Sequence, residues 1–409
     1  MALNFISRKS LFKAAILPFC LLFCGCGSES GSSGTDESKS ILFKGPNIVH
    51  YGQLPADSLM LASDLVVGVA EGKNEYMFGD IRGIEADDAG NIYVFDYQAS
   101  NIRVFSSEGN FLGIIANGGQ GPQEITAANG MVLKGDTILW IHDYGQNQMK
   151  GLSKKGELLT SFPPHVRSRS PIFSGVIDDN GVYWKQSLRY LPGLMNAQGL
   201  VEAADEVMMI GFDPISEKLD TVSMGMRAVG KTYRVKTQRG FKNYGIPFQA
   251  RNIARIHPKG GFWIAGTDKY EIARLDLIGD SLFVIKVDIE PQRVTTKDKR
   301  ALIDRMAAES LEEGVIGEEI AALIPVFKPL IQDLIVDDTD RLWVQRQSET
   351  DQPFRYDVFD DEGGFVKSVF LSFNLSLYSP IRHRNGRIYG LNLDSLSVPI
   401  VVRSAQFSF

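Results

Sequence analysis

Short runs of alternating apolar and polar residues, each bounded by a polar turn, recur along most of the chain. The clearest phrase is a turn with Gly or Asp followed by a strand with an aromatic residue at its centre. It reads DDAGNIYV (87–94), KGDTILWI (134–141), DDNGVYWK (178–185), PKGGFWIA (258–265), DDTDRLWV (337–344) and RNGRIYGL (384–391). The central aromatics are Tyr93, Trp140, Tyr183, Trp263, Trp343 and Tyr389, so the steps are 47, 43, 80, 80 and 46 residues. A β-type pattern repeating every ~40–50 residues marks a propeller, because a small sheet buries both faces only by stacking on its neighbours. Each doubled step holds one unit plus an insertion. Six copies predict an all-β, six-bladed β-propeller of four-stranded antiparallel blades.

In the first repeat, strands are expected near 82–86, 91–95, 101–105 and 111–115, separated by DDAG, DYQAS and SSEG turns. The second repeat follows at an offset of 47, with Asp96 mapping to Asp143 and Gly109 to Gly156. The third blade carries an insertion around 188–205, and the fourth covers about 248–286. From Thr295 to Ile324 the residues read as a helical hairpin. Thr296 is the expected N-cap, Leu302, Ile303, Met306 and Ala307 form an apolar stripe, and Gly314 and Gly317 are expected to break it. A flap on the edge of the fourth or fifth blade is its expected place, with a lid over the site as the alternative. The sixth blade begins near Tyr378 and has too few strands. Segment 47–69 is expected to supply what is missing, so that strands from both ends close the ring and remove its free edge.

The N-terminus changes the picture of where the protein works. Arg8, Lys9 and Lys13 precede the apolar run AAILPFCLLFCG, with no acidic residue in 1–25, as in a secretory leader. The run ends in FCGCGSES, which resembles a bacterial lipobox with Cys26 as the lipidated residue. The expected organisation is a lipoprotein signal peptide over 1–25, a flexible tether over 26–40 and the propeller over 41–409. Cys20, Cys24 and Cys26 are the three cysteines, so cleavage before Cys26 leaves the exported domain without a thiol of its own and its core must hold it. The net charge of −6 becomes −9 once the leader cations are removed, which argues against nucleic acid or an anionic membrane surface as the partner. Membrane association is expected through the N-terminal lipid alone, on the periplasmic side of the outer membrane or at the cell surface.

The run GNIYVFDYQASNIRVFSSEG (90–109), with the connection GGQGPQEIT (118–126), resembles the NHL-type propeller repeat. The whole chain looks most like the six-bladed propeller lipoproteins of Bacteroidota, an NHL-like or TolB-like group. The resemblance is specific over 81–162, weaker over 329–370 and slight elsewhere. It implies the fold and says little about function. Some NHL-type propellers are metal-dependent lyases with histidines lining the channel, whereas the equivalent positions here carry Asn, Gln, Phe and Tyr.

Aligning the repeats places Arg82, Asn129, Phe173, Asn252, Gln332 and Tyr378 where the inner strands begin, around one mouth of the channel. Asp96, Gln98, Asp143, Asn147, Gln186, Asp268 and Arg346 follow the second strands on the same face. Amides, a guanidinium and aromatic rings suit a neutral or weakly acidic polyol. Asp96 and Asp143 also fit a turn-making role, bonding the backbone two residues on. The five histidines form no H-x-x-x-H pair, so no metal site and no cofactor are expected. Asp87-Asp88, Asp337-Asp338 and Asp360-Asp361 read as solvated hairpin turns. The leading functional expectation is a non-enzymatic envelope lipoprotein that binds a glycan-like or protein ligand at the channel mouth. A glycan-processing lyase or hydrolase acting on the same face, and a structural interaction scaffold, are the alternatives.

Overall fold

The computed structural model describes residues 47–163, 175–189, 198–237, 240–347, 354–376 and 381–409. It begins with three short strands, β1 (Ile48–Tyr51), β2 (Ser58–Leu61) and β3 (Ser63–Val67). Among the described residues, six sheets follow in chain order. The first holds β4 (Ile81–Ala86), β5 (Ile92–Asp96), β6 (Asn101–Phe105) and β7 (Phe111–Ala116); the second holds β8 (Ala128–Lys134), β9 (Ile138–Asp143), β10 (Gln148–Ser153) and β11 (Leu158–Phe162). The third is built from β12 (Gly175–Ile177), β13 (Tyr183–Arg189), β14 (Gly199–Asp213), β15 (Lys218–Thr237) and β16 (Gly240–Gly245). The fourth contains β17 (Asn252–Ile256), β18 (Phe262–Gly266), β19 (Glu271–Leu275) and β20 (Ser281–Val287). After helices α1 (Thr296–Ala307) and α2 (Leu311–Leu323), the fifth has β21 (Ile331–Val336), β22 (Leu342–Arg346), β23 (Phe354–Phe359) and β24 (Phe365–Leu371). The sixth has β25 (Arg382–Arg384), β26 (Arg387–Leu393) and β27 (Pro399–Ser404). The architecture is all-β and of propeller type, with successive strands of each sheet antiparallel.

The N-terminal strands run around the rim. β3 pairs antiparallel with β27 and completes the sixth sheet, as expected for closure from both ends. IVHY does something the sequence did not suggest. As β1 it adds a fifth, parallel strand to β20 of the fourth sheet, and β2 does the same to β24 of the fifth.

Six hydrophobic clusters each join two consecutive sheets. Tyr93 of the first sheet packs toward the second, Trp140 toward the third, Trp184 toward the fourth, Trp263 toward the fifth and Trp343 toward the sixth. Tyr389 of the sixth packs with Ile84 and Val94 of the first. Every second strand thus sends one large aromatic forward into the next interface, where burial of a ring contributes several kcal/mol at ~25 cal/mol per Å2. This corrects one member of the repeat: Tyr183 packs backward on Trp140, and its neighbour Trp184 is the equivalent of Tyr93.

The insertions also differ from expectation. Residues 199–205, within the expected insertion, are strand and pair with 228–234 beyond the end of β13 at Arg189, so β14 and β15 project roughly 23 Å past the sheet. The helical hairpin packs on this arm rather than on the edge of the fourth or fifth sheet. Leu302, Met306, Ile316 and Ile320 bury against Ile246, Tyr233, Val235 and Tyr244. Its N-cap is Thr295, which forms a capping box with Asp298, and Thr296 is the first helical residue. Gly314 and Gly317 lie inside α2, where a Cβ would stand 3.0 Å from Ala307 Cβ and 3.3 Å from Ile303 Cα. They permit close helix approach, and the break falls instead before Ser310, which caps α2. At its base the excursion is clamped by Val294 N–H to the Val326 carbonyl (2.8 Å) and Lys328 N–H to the Gln292 carbonyl (2.8 Å).

Candidate functional site

Antiparallel alternation gives the assembly two faces. The turns between first and second strands lie on one, called the turn face. The second-to-third turns and the connections between sheets lie on the other, the mouth face. The arm and the helical excursion both leave from the mouth face, since β13 and β20 end there.

On the mouth face, Arg82 is the second residue of β4, Asn129 lies in β8, Asn252 opens β17 and Gln332 is the second residue of β21. β4 lies beside β8 and β17 beside β21, which brings the predicted positions together in neighbouring pairs. Arg251, adjacent to Asn252, donates to the Gln332 carbonyl at 2.6 Å. Arg255 of β17 pairs with Asp333 of β21 and donates to the Leu334 carbonyl at 2.9 Å. Arg382 of the sixth sheet reaches Glu85 of the first at 2.5 Å. Arginines crossing between inner strands were not part of the sequence reading, because their partners are set by ring neighbours and not by spacing. Phe173, Tyr378 and Cys26 lie outside the described residues.

Asp96 and Asp143 are turn-makers. Asp96 accepts from the backbone N–H of Gly79, Asp80, Gln98 and Ala99, and Asp143 from those of Thr126, Ala127 and Gln146. Each also faces a buried cation from the third strand, Arg103 at 3.4 Å and Lys150 at 3.3 Å, one repeat apart. The oxygens of both carboxylates are thus committed to the backbone and to these cations. Arg346 is likewise committed, at 3.1 Å from the buried Asp357, which also accepts from Tyr270, Arg355 and Ser368.

An aromatic pair lies on this face too, beside the exposed Gln98 and Asn147. Arg82 is ion-paired to Asp80 at 2.7 Å, and its guanidinium lies 3.4 Å from the centre of the Tyr97 ring. The Tyr97 hydroxyl is 3.0 Å from that of Tyr144, the same position one repeat later. Tyr144 is 44% exposed. The sequence carried this pair in its DYQAS and DYGQN turns, where the aspartates drew attention and the adjoining tyrosines did not.

The paired acids on the turn face are more than solvated hairpins. In three pairs the first aspartate bonds the aromatic six residues on: Asp87 accepts from the Tyr93 hydroxyl (3.1 Å), Asp178 from Trp184 Nε1 (2.9 Å) and Asp337 from Trp343 Nε1 (2.8 Å), whereas Asp360 accepts from Glu362 N–H and Gly364 N–H within its own turn, as expected of a hairpin. The second position links turn to turn. Asp88 N–H donates to Asp136 (2.7 Å), Lys134 meets Asp179 (2.8 Å), Asp179 N–H donates to the Pro258 carbonyl (3.1 Å) and Lys259 meets Asp340 (2.7 Å). Asn385 N–H then donates to Asp338 (2.7 Å), and Arg384 returns to Asp88 at 2.5 Å. The links form a closed circuit through all six sheets.

Buried histidines are held neutral. Burial, reinforced by Lys185, pushes the His142 imidazole down to about 4; burial, with help from Arg382, does the same at His383. Burial also brings the Lys185 ammonium down to about 8. Among the described residues, no group of three or more His, Cys, Asp or Glu side chains is placed to hold a metal ion, and no helix is long and apolar enough to cross a membrane.

The model of one family, DUF5128, described as a 6-bladed beta-propeller, matches residues 70–149. No curated protein matches the chain in sequence. Among solved structures the chain is similar to an exported protein of Bacteroides fragilis, at 10% identity and a TM-score of 0.43, covering 88% of this chain and 100% of that one. It is similar to a DUF4221 member from Bacteroides vulgatus, at 9% identity and a TM-score of 0.48, covering 84% and 97%. It is also similar to the virginiamycin B lyase of Staphylococcus aureus, at 11% identity and a TM-score of 0.38, covering 80% and 95%. Likenesses this distant say nothing of chemistry.

Proposed function

We propose that the chain is a complete six-bladed propeller, exported and held at the bacterial outer membrane by a lipid on Cys26, that binds a hydroxyl-rich, glycan-like ligand on its mouth face without catalysing a reaction. The observation that carries this reading is the Arg82–Tyr97–Tyr144 cluster. A sugar presents apolar C–H faces that stack on rings and hydroxyls that need paired donors and acceptors, and the exposed Tyr144 beside the half-buried Tyr97 and its guanidinium offers both. Asn129 of β8, Asn252 of β17 and Gln332 of β21 stand at inner-strand positions on the same face, and the arm with its helices stands beside it. The exposed apolar residues Val326 and Phe327 at the base of the excursion favour a ligand with some apolar surface. Acid-assisted cleavage on this face would need a carboxyl able to release a proton, and the bonding of Asp96 and Asp143 speaks against their filling that role.

The test is a glycan screen with the exported domain, followed by titration of any hit against Tyr144→Ala and Arg82→Ala. The expected result is saturable binding weakened roughly tenfold or more by each substitution, the loss of one stacking or charged contact. Unchanged affinity in both variants would reject the site. For the anchor, Cys26→Ala is expected to move the protein from the detergent phase to the aqueous phase, and no change in partitioning would reject lipidation.

A further inference from the structure

The third-to-fourth turns of the sheets also lie on the turn face, and each is closed from within by its first residue. Asp213 accepts from Ile215 N–H (2.9 Å) in the third sheet, and Asp276 from Ile278 N–H (3.0 Å) in the fourth. Ser106, Ser153 and Asp360 do the same for Glu108, Lys155 and Glu362 in the first, second and fifth. The turn tip is therefore one position of the repeat. It is charged in those three sheets and isoleucine in the two adjoining ones.

Ile215 is 90% exposed and Ile278 77%, and the exposed Leu277 and Leu282 continue the apolar surface along the fourth sheet. The two sheets touch here, since a Cβ at Gly279 would stand 3.3 Å from Val222 of β15. β1 adds to the same corner. It runs parallel to β20, so its N-terminal end points to the turn face. Ile48 lies opposite Val284 and shares its side of the sheet with Leu282, two residues nearer the turn; it is 63% exposed. Single exposed apolar residues are ordinary, but isoleucine at two neighbouring turn tips beside a third exposed isoleucine forms a patch.

We propose that this corner is where the propeller rests against the lipid bilayer, an inference that itself rests on the lipid at Cys26. Cys26 lies 21 positions before Asn47, whose carbonyl accepts from Val284 N–H (3.0 Å), and GSESGSSGTDESKS fills most of that interval. A Gly/Ser-rich connection of this length has a mean span of ~25 Å. The lipid thus keeps the membrane close to the start of β1, and at such an effective concentration a small apolar contact suffices. Protruding turn tips suit a deformable lipid surface better than the shape-matched face of a protein. Glu217 and Asp280 flank the patch, both exposed, so the headgroups it meets are zwitterionic and not anionic.

The experiment uses the full chain, processed and acylated, reconstituted in phosphatidylcholine vesicles that carry a spin-labelled quencher lipid. Cleavage and acylation at Cys26 leave no free thiol, so a polarity-sensitive fluorophore can be placed singly through Ile215→Cys, Ile278→Cys, Glu108→Cys or Lys155→Cys. The expected result is blue-shifted, quenched emission at 215 and 278 and unshifted, unquenched emission at 108 and 155, the same turn position on other sheets. Adding phosphatidylglycerol is expected to weaken the quenching, and a strengthening would overturn the zwitterionic assignment. Equal quenching at all four positions, or none at 215 and 278, overturns the proposal. Emission that follows protein concentration and ignores the quencher would give the corner to a second copy of the chain and overturn it as well. A chain that stays in the aqueous phase overturns the anchor and the bilayer contact together, whereas an anchored chain with silent labels at 215 and 278 overturns the contact alone.

Discussion

The indole N–H of Trp263 is buried without an acceptor, because His257, six residues before it, stands where Asp87, Asp178 and Asp337 serve Tyr93, Trp184 and Trp343. His257 keeps the turn by accepting from Lys259 N–H through Nδ1 (3.2 Å) and places Nε2 3.0 Å from Asp361 of the next sheet. The turn function survived the change of residue, and the bond to the aromatic did not. Restoring the acceptor should therefore stabilise the fourth sheet, provided the carboxylate of Asp361 is neutralised at the same time. In an Asp361→Asn background, His257→Asp is expected to raise unfolding free energy by about 1 kcal/mol, the net value of one buried hydrogen bond. Urea denaturation measures it, and an unchanged or lower midpoint would count against the account.

The two acids of a pair should differ sharply in worth. Asp178 accepts from Asn180 N–H, Val182 N–H and Trp184 Nε1, and is buried. Asp178→Ala strands those donors and is expected to cost about 1–3 kcal/mol. The side chain of Asp179 meets Lys134 in water, and its link to the fourth sheet runs through its own backbone N–H. Asp179→Ala is expected to cost under about 1 kcal/mol. Equal losses in thermal or urea unfolding would show that the turn-to-turn circuit, and not the aspartate-to-aromatic bond, dominates.

Much of this was legible in the sequence, and the parts that were not share a cause. The aromatic repeat showed because each second strand must send one ring into the next interface. Tyr183 was mistaken for Trp184 because two aromatics adjoin there, although the six-residue interval from Asp178 separates them. The helical hairpin was legible from its stripe and cap residues to within one position. Its seat on the arm was not, since that rests on pairing between 199–205 and 228–234 and on a core formed by segments about 70 residues apart. At the mouth, Asp96 and Asp143 were readable as turn-makers from their local bonds. The Arg255–Asp333 and Arg382–Glu85 crossings join residues 78 and 297 positions apart, and only the closed arrangement of sheets brings them together.

The glycines of α2 offer a packing test. With a Cβ at position 314 already 3.0 Å from Ala307 Cβ, a larger side chain must push the helices apart. Gly314→Leu is expected to destabilise the excursion by about 1–3 kcal/mol through overpacking, against a gain of up to ~1 kcal/mol from helix propensity. Hydrogen exchange is the suitable probe, because the loss should appear in 296–323 and spare the strands of the first two sheets. Uniform loss of protection across all six sheets would mean that the arm and helices are part of the global folding unit.

Acid should unfold the protein in a defined window through its buried histidines. His383 and His142 each titrate at about 4 in the folded state against 6.5 in an exposed chain, because burial disfavours the charged ring. Between these values the unfolded chain binds more protons than the folded one, so stability rises with pH there. The stabilisation is fully present above pH 6.5 and is lost as pH falls toward 4. Each residue accounts for on the order of 3 kcal/mol across the window, taking 1.36 kcal/mol per pKa unit. His383→Phe is expected to flatten the curve by that share while leaving stability at pH 7.5 equal or higher, since it also removes two unpartnered nitrogens from the interior. A variant whose unfolding free energy falls between pH 6.5 and 4 as steeply as that of the unaltered protein would place the acid sensitivity elsewhere.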